Sequence, residues 1–196
     1  MSEFREEQPE IHMRSFRKLT DHERPLLEAH LLRVGGEDRV MRFMAGVNDD
    51  YVRTHVSRIG WPHAVVTGCF VNGTLRGAAE LWFDAAMTGR CELALTVEHD
   101  FQGAGIGTEL LRRSLVLARN RGAETAYLAC LPQNRKMQHI VEKLGRTVTT
   151  SGRGMTESEI AISGPSQLSL WQEIAGDGIG VIDSLVERMS YPRAAA

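Results

Sequence analysis

Residues 102–108 read Gln-Gly-Ala-Gly-Ile-Gly-Thr, with glycines at 103, 105 and 107 between an apolar segment and one of helical periodicity. Glycines are costly to order, so their clustering asks for a use. The first amides of a helix have no intrahelical partner, and the macrodipole adds partial positive charge there. Glycines keep side chains away from those amides, which suits an anion, phosphate above all. A nucleoside-triphosphate loop needs G-x-x-x-x-G-K-[ST], and no lysine follows Gly107, so that class fails. A dinucleotide fingerprint, G-x-G-x-x-G, needs glycine where Thr108 stands. It also needs a parallel βαβ unit, whereas the strands expected before the loop form hairpins. Glu124 stands near the distance of a ribose-binding acid, but one match does not restore the fingerprint. A third phosphate-bearing class, or a mere tight turn into a helix, is left open by these spacings.

Other side chains could move protons. Glu92, in Cys-Glu-Leu-Ala-Leu, is a carboxylate on an apolar strand leading into the glycine turn. Burial there would raise its pKa toward that of a general base; the alternating strand also allows it to face water. Glu80, in Ala-Ala-Glu-Leu-Trp, is a second candidate with a weaker case. His99 and Asp100 are read as turn residues. Cys69, Cys91 and Cys130 are odd in number, lie among apolar neighbours and are expected as buried reduced thiols. The seven histidines form no ligand spacing with each other or with cysteine, so no metal site is expected.

The elements that must position these residues follow from periodicity. Residues 11–19 alternate as a strand, and Thr20 with Glu23 resembles a capping box for a first helix that Gly35-Gly36 breaks. Residues 38–44 and 49–59 read as a second helical region ended by Trp61-Pro62. Residues 64–71, 75–83 and 91–97 read as strands, the first two joined by Asn72-Gly73 and the last two by the turn at 84–89. A helix over 106–118, a strand over 126–131, a helix over 134–144 closed by Gly145, and a strand over 159–162 complete the order. The expected class is therefore α/β (α+β), with helices flanking a mixed, mostly antiparallel twisted sheet. Past Gly164-Pro165, residues 168–175 and 179–189 have weak helical patterns.

Length and charge set the outer limits. With 196 residues, 42% hydrophobic and 24% charged, the chain suits one soluble domain. The expected division is a loose stretch over 1–10, a domain over 11–162 and a helical extension over 163–196. A net charge of -2 gives no case for nucleic acid as partner. No apolar run would span a bilayer, and the charged N-terminus does not read as a signal peptide, so a cytoplasmic protein is expected.

Gln102-x-x-Gly105-x-Gly107 resembles the acetyl-CoA pyrophosphate loop of the GCN5-related N-acetyltransferase (GNAT) family. Leu-Ala-Leu-Thr-Val-Glu-His-Asp-Phe-Gln (93–102) resembles that family's fourth strand and the bulged turn after it. Residues 126–145, with Asn134 and the closing Glu-Lys-Leu-Gly, resemble its fifth strand and the following helix. The likeness spans about residues 11–162, and residues 11–44 are similar to a subgroup containing bacterial protein-lysine acetyltransferases. Some of those carry fused nucleotide-binding domains, for which no room is expected here.

The resemblance implies splayed central strands, with the pantetheine arm beside the backbone of Leu95, Thr96 and Val97. It implies Gln102, Gly103, Ala104, Gly105, Gly107 and Thr108 around the pyrophosphate, Asn134 near the thioester end, and Arg135 or Lys136 reaching phosphates. Acetyl-CoA would be the cosubstrate, no metal would be used, and Glu92 would take the proton of an amine attacking the thioester. The acceptor would be a protein lysine, which the opening region favours, or a small-molecule amine. A non-catalytic acyl-CoA sensor is the alternative. Neither monomer nor homodimer is preferred. Met41, Phe43 and Met44 would face the acceptor if the subgroup likeness holds, and otherwise form helix core. Three departures stand out: Ala104 where many relatives carry Lys or Arg, Val141 where many place a Tyr acid, and Arg146 in place of an aromatic residue.

Overall fold

The structure is a computed structural model describing residues 13–61, 63–83, 89–144, 149–150, 156–162, 164, 166 and 169–175. The expected loose stretch 1–10, the strand start at 11–12, Pro62, residues 84–88, Gly145, Arg146, Pro165 and the pattern at 179–189 lie outside these residues.

A hairpin series builds the first half of the sheet. Strand β1 (Arg14–Lys18) pairs with β2 (Ala64–Val71), β2 with β3 (Thr74–Phe83), and β3 with β4 (Arg90–Val97), all antiparallel. Asn72 and Gly73 both take positive φ, 49° and 75°, as the tight β2–β3 turn requires. Between β1 and β2 lie α1 (Arg24–Arg33), α2 (Gly36–Phe43) and α3 (Asp49–Ser57). The Thr20 backbone N–H donates to Glu23 Oε2 at 3.1 Å, but this box caps a 3₁₀ turn (Asp21–Glu23) that runs into α1 rather than α1 itself. Asn48 caps α3 by accepting from the Tyr51 N–H at 2.9 Å.

The second half begins with α4 (Ile106–Asn120), which leads to β5 (Thr125–Cys130), α5 (Arg135–Lys143), β6 (Thr149–Thr150) and β7 (Thr156–Ala161). The strand order is β1-β2-β3-β4-β5-β7-β6. Among the described strands only β4 and β5 pair in parallel, because α4 carries the chain across the sheet between them. The two-residue β6 was not foreseen, and β7 begins three residues before the expected strand.

Each face of the sheet has its own core. Leu110, Leu111 and Leu117 of α4 and Val141 of α5 pack on Cys69, Leu81, Leu93 and Leu128 on one face. Leu27 and Leu31 of α1 and Val52 and Val56 of α3 cover Val66, Phe70 and Ala78 on the other. A fully buried leucine or valine contributes about 1.5–3 kcal/mol, so the two layers hold β4 firmly from both sides. All three cysteines are buried and free.

Candidate functional site

Strands β4 and β5 pair only at Arg90↔Thr125, Cys91↔Ala126 and Glu92↔Tyr127. Beyond Glu92 the two strands part, and no ladder joins residues 93–97 of β4 to residues 128–130 of β5. Each therefore presents an open edge of backbone donors and acceptors, which an extended ligand can satisfy as an added strand would. The gap opens into a cleft of roughly 260 Å³ that runs from the glycine loop to α2.

At one end of the cleft a 3₁₀ turn (His99–Phe101) delivers the chain from β4 to the loop. Gln102 Nε2 donates to the Val97 carbonyl at 2.9 Å, tying the loop to the strand end. Gly103 and Gly105 have φ of +77° and +79°, in the left-handed region that other residues occupy only with strain. Gly105 caps α4, and the first helical bond runs from the Glu109 N–H to the Gly105 carbonyl at 3.1 Å. The amides of Ile106, Gly107 and Thr108 are thereby left without helical partners. Gly107 also lets α5 approach: a Cβ there would meet Ile140 Cδ1 at 2.8 Å.

Leu95, Thr96, Val97, Gln102, Gly103, Gly105, Gly107, Thr108 and Asn134 all line this one cleft. Ala104 does not. It is exposed, and its carbonyl accepts from Arg14 Nη1 at 2.8 Å, so β1 brings a guanidinium to the position that lacks a basic side chain. Asn134 caps α5 by accepting from the Met137 N–H at 3.1 Å. Lys136 Nζ lies 2.5 Å from Gln102 Oε1 and adds positive charge beside the loop. Val141 is fully buried in the core, while His139 and Lys143 are the α5 side chains lining the cleft with proton-carrying groups besides Lys136. Cys130 also lines it, and burial pushes its thiol pKa up, so it is a neutral wall there.

Toward α1, a buried chain fixes the end of β4. Thr96 Oγ1 lies 3.1 Å from His30 Nε2, and His30 Nδ1 lies 3.0 Å from Glu98 Oε1. Burial raises the Glu98 pKa, but hydrogen bonds from His30, Arg33 and Arg76 outweigh it and hold the group at about 2. Burial lowers the His30 pKa more than Glu98 raises it. Glu98 is therefore the anion that accepts the His30 Nδ1–H, and Nε2 is free to accept from Thr96.

Of the two placements that the strand allows Glu92, the structure takes the water-facing one. Glu92 is exposed, sits where the strands part between Trp82 and Tyr127, and does not line the cleft. The strand alternates, and Glu92 takes its exposed face, so its case as a base rests on position alone. Glu80, by contrast, is buried, 1% exposed. Arg42 Nη2 donates to it at 2.6 Å and His55 Nε2 lies 2.7 Å away. Desolvation raises its pKa, but Arg42 and His55 prevail and hold it at about 2, far too acidic for a base at neutral pH. Met41 lines the cleft, with Asp38 and Arg42. Phe43 packs on the second core and Met44 ends α2 with φ of 56°. His99 and Asp100 are exposed in the turn, His99 3.3 Å from Asp38. Arg42, Arg14 and His30 went unnoticed in the sequence, where no spacing links them to partners 38 to 90 residues away.

Among the described residues no group of His, Cys, Asp or Glu could hold a metal ion, and no helix is long and apolar enough to cross a membrane.

A sheet that opens between its parallel strands, with bare helix amides at the mouth of the opening, defines a class of protein built to seat an extended ligand ending in phosphates. The chain belongs to the acetyltransferase (GNAT) family, whose model matches residues 10–145. As a member it is an acyl-CoA-dependent N-acetyltransferase. Its fold is similar to that of the GNAT domain of S. lividans PAT: TM-score 0.65, 22% identity, covering 75% of this chain and 89% of that one. It is also similar to the ribosomal-protein-S18-alanine N-acetyltransferase from Escherichia coli, with TM-score 0.60, 18% identity and coverage of 79% and 97%. A putative acetyltransferase from Salmonella typhimurium with its cofactor acetyl-CoA gives TM-score 0.59, 18% identity and coverage of 79% and 96%.

Proposed function

We propose that the cleft binds acetyl-CoA and delivers its acetyl group to a primary amine, a protein lysine or a small molecule, by direct attack. The observation that supports this best is that nine of the ten residues expected to bind the cosubstrate line a single cleft, where the sheet opens. The open edges of residues 93–97 and 128–130 suit the amide-bearing pantetheine arm. The amides of Gly107 and Thr108, with Lys136 beside them, suit the pyrophosphate. Bound there, acetyl-CoA supplies an activated thioester carbonyl.

The protein's own share of the reaction is placement and proton removal. A lysine-like amine has a pKa near 10 and arrives protonated, so a group must take its proton before attack. Glu92, exposed at the point where β4 and β5 part, receives it through water. Asn134 positions the thioester end, and the thiolate leaves without an acid from Val141, being a tolerable leaving group. The extension beyond residue 162 and a cytoplasmic setting belong to the same reading.

The test combines binding and turnover. CoA should raise the melting temperature, and thiol should be released from acetyl-CoA when an amine panel is added. Glu92→Gln should bind CoA as the parent does and lose most of its turnover. Unimpaired turnover removes Glu92 from the mechanism; CoA binding with no thiol release from any amine converts the reading into that of a sensor.

A further inference from the structure

The cleft ends against α2, where Arg42 lines it. Its side chain is only 10% exposed, and Nη2 is its one hydrogen-bonding nitrogen among the described residues, donating to Glu80 Oε1 at 2.6 Å. Among the described residues Nη1 has no partner, and Nε, which has none either, is buried away from solvent. A guanidinium carries five N–H donors in a planar fork, so most of this one's capacity is unspent.

The surroundings hold that fork still. Glu80 stands on β3 directly across from Ala94, which itself lines the cleft, and its second oxygen is engaged by His55 at 2.7 Å. The Phe43 ring lies 4.9 Å from the guanidinium and meets Tyr51 and His55 edge-on. A lone guanidinium here would repel an approaching ammonium. Paired with ionised Glu80, it is close to neutral overall, yet Nη1 keeps its N–H donors uncommitted among the described residues. An arginine of this kind is half of a two-pronged oxygen-binding site, and its natural complement is a carboxylate.

We propose that Arg42 is a specificity-determining residue that binds the carboxylate of the acceptor, which makes the acceptor a small amine of the amino-acid class. This rests on the acetyl-transfer reading of the same cleft. In an amino acid the carboxylate stays near the α-nitrogen, so Arg42 can hold one end while the amine meets the thioester beside Ala94. A lysine side chain within a protein offers no such neighbour to its ε-nitrogen.

The experiment uses the full chain, acetyl-CoA and thiol release, with amines matched in all but the carboxylate, such as lysine and cadaverine, and a capped peptide with one internal lysine. The parent protein should favour the carboxylated member of each pair in kcat/KM. Arg42→Gln should lower that preference at least about tenfold, chiefly through KM for the carboxylated member, as loss of a charge-assisted hydrogen bond implies. Arg42→Lys, which keeps charge and loses the fork, should recover only part of it. Equal use of both members, better use of cadaverine or of the peptide, or an unchanged preference in Arg42→Gln would overturn the proposal. The comparison of matched amines on the parent protein stands even if a variant fails to fold. If CoA gives no thermal shift and no amine releases thiol, the acetyl-transfer reading itself falls. Thiol release confined to uncarboxylated amines sinks the Arg42 proposal alone.

Discussion

Replacing Gly105 by alanine isolates the conformational role of the loop. A Cβ at Gly105 would meet nothing within 4 Å, so the substitution introduces no clash. Its φ of +79° is unfavourable for an L residue by about 1–2 kcal/mol, the left-handed penalty. That strain can surface in two places. If the loop keeps its shape in the free protein, folding stability falls by the full amount and CoA affinity is unchanged. If the free loop relaxes, stability is spared and affinity falls, by a factor of about 5–30 for the same energy. The sum of the two losses should be about 1–2 kcal/mol in either case. Gly60→Ala is the control, since it also meets nothing within 4 Å and has no left-handed φ. Both variants gain the same unfolded-state entropy benefit, so their difference reports strain alone. Urea denaturation and calorimetric titration with CoA measure the two parts. A summed difference below about 0.5 kcal/mol would show that the loop does not need a left-handed residue at 105.

Two further outcomes follow from buried groups. Glu80 and Glu98 have folded pKa values near 2, below their ordinary value of 4.5, so they stabilise the fold above pH 4.5 and this contribution is lost as pH falls toward 2. His30 is also depressed, so its protonation in the unfolded chain lowers stability as pH drops below 6.5. All three act in one direction: urea midpoints should fall steadily from pH 7 to pH 3, and Glu98→Gln should flatten the acid limb. Val141→Tyr, which places the family's aromatic acid in a site with no exposed surface, should destabilise by about 1–3 kcal/mol through overpacking. For a chain of this size that is a melting temperature lower by about 2–12 °C; an unchanged or higher one would mean that the core has room for the ring.

Local chemistry made much of the fold legible. The apolar run of 64–71, the Asn72-Gly73 turn and the Thr20–Glu23 pair each act over a few residues, and each forms locally. The cleft-lining set was legible for a related reason: Gln102 to Thr108 is contiguous, and its neighbours on β4 follow from strand continuity. What escaped was set by tertiary register. Alternation permits Glu92 either face, and only the pairing of Glu92 with Trp82 and Tyr127 decides for exposure. Arg14 reaches Ala104 across 90 residues, and Arg42 reaches Glu80 across 38. No periodicity records such meetings, because they depend on how α2 and β1 settle on the finished sheet.

Among the described residues, three parallel pairs between β4 and β5 and the hydrogen bonds from Glu124 and Thr125 to the Gly89 carbonyl keep the sheet continuous. Mechanically, β1 to β4 and β5 to β7 are two plates sharing a short seam, and a molecule lying along the open part would serve as the missing rungs. The cosubstrate would then be a structural member as well as a reagent, and releasing it would return the sheet to its split form. A protein arranged in this way is stiffest while it holds the group it is about to transfer.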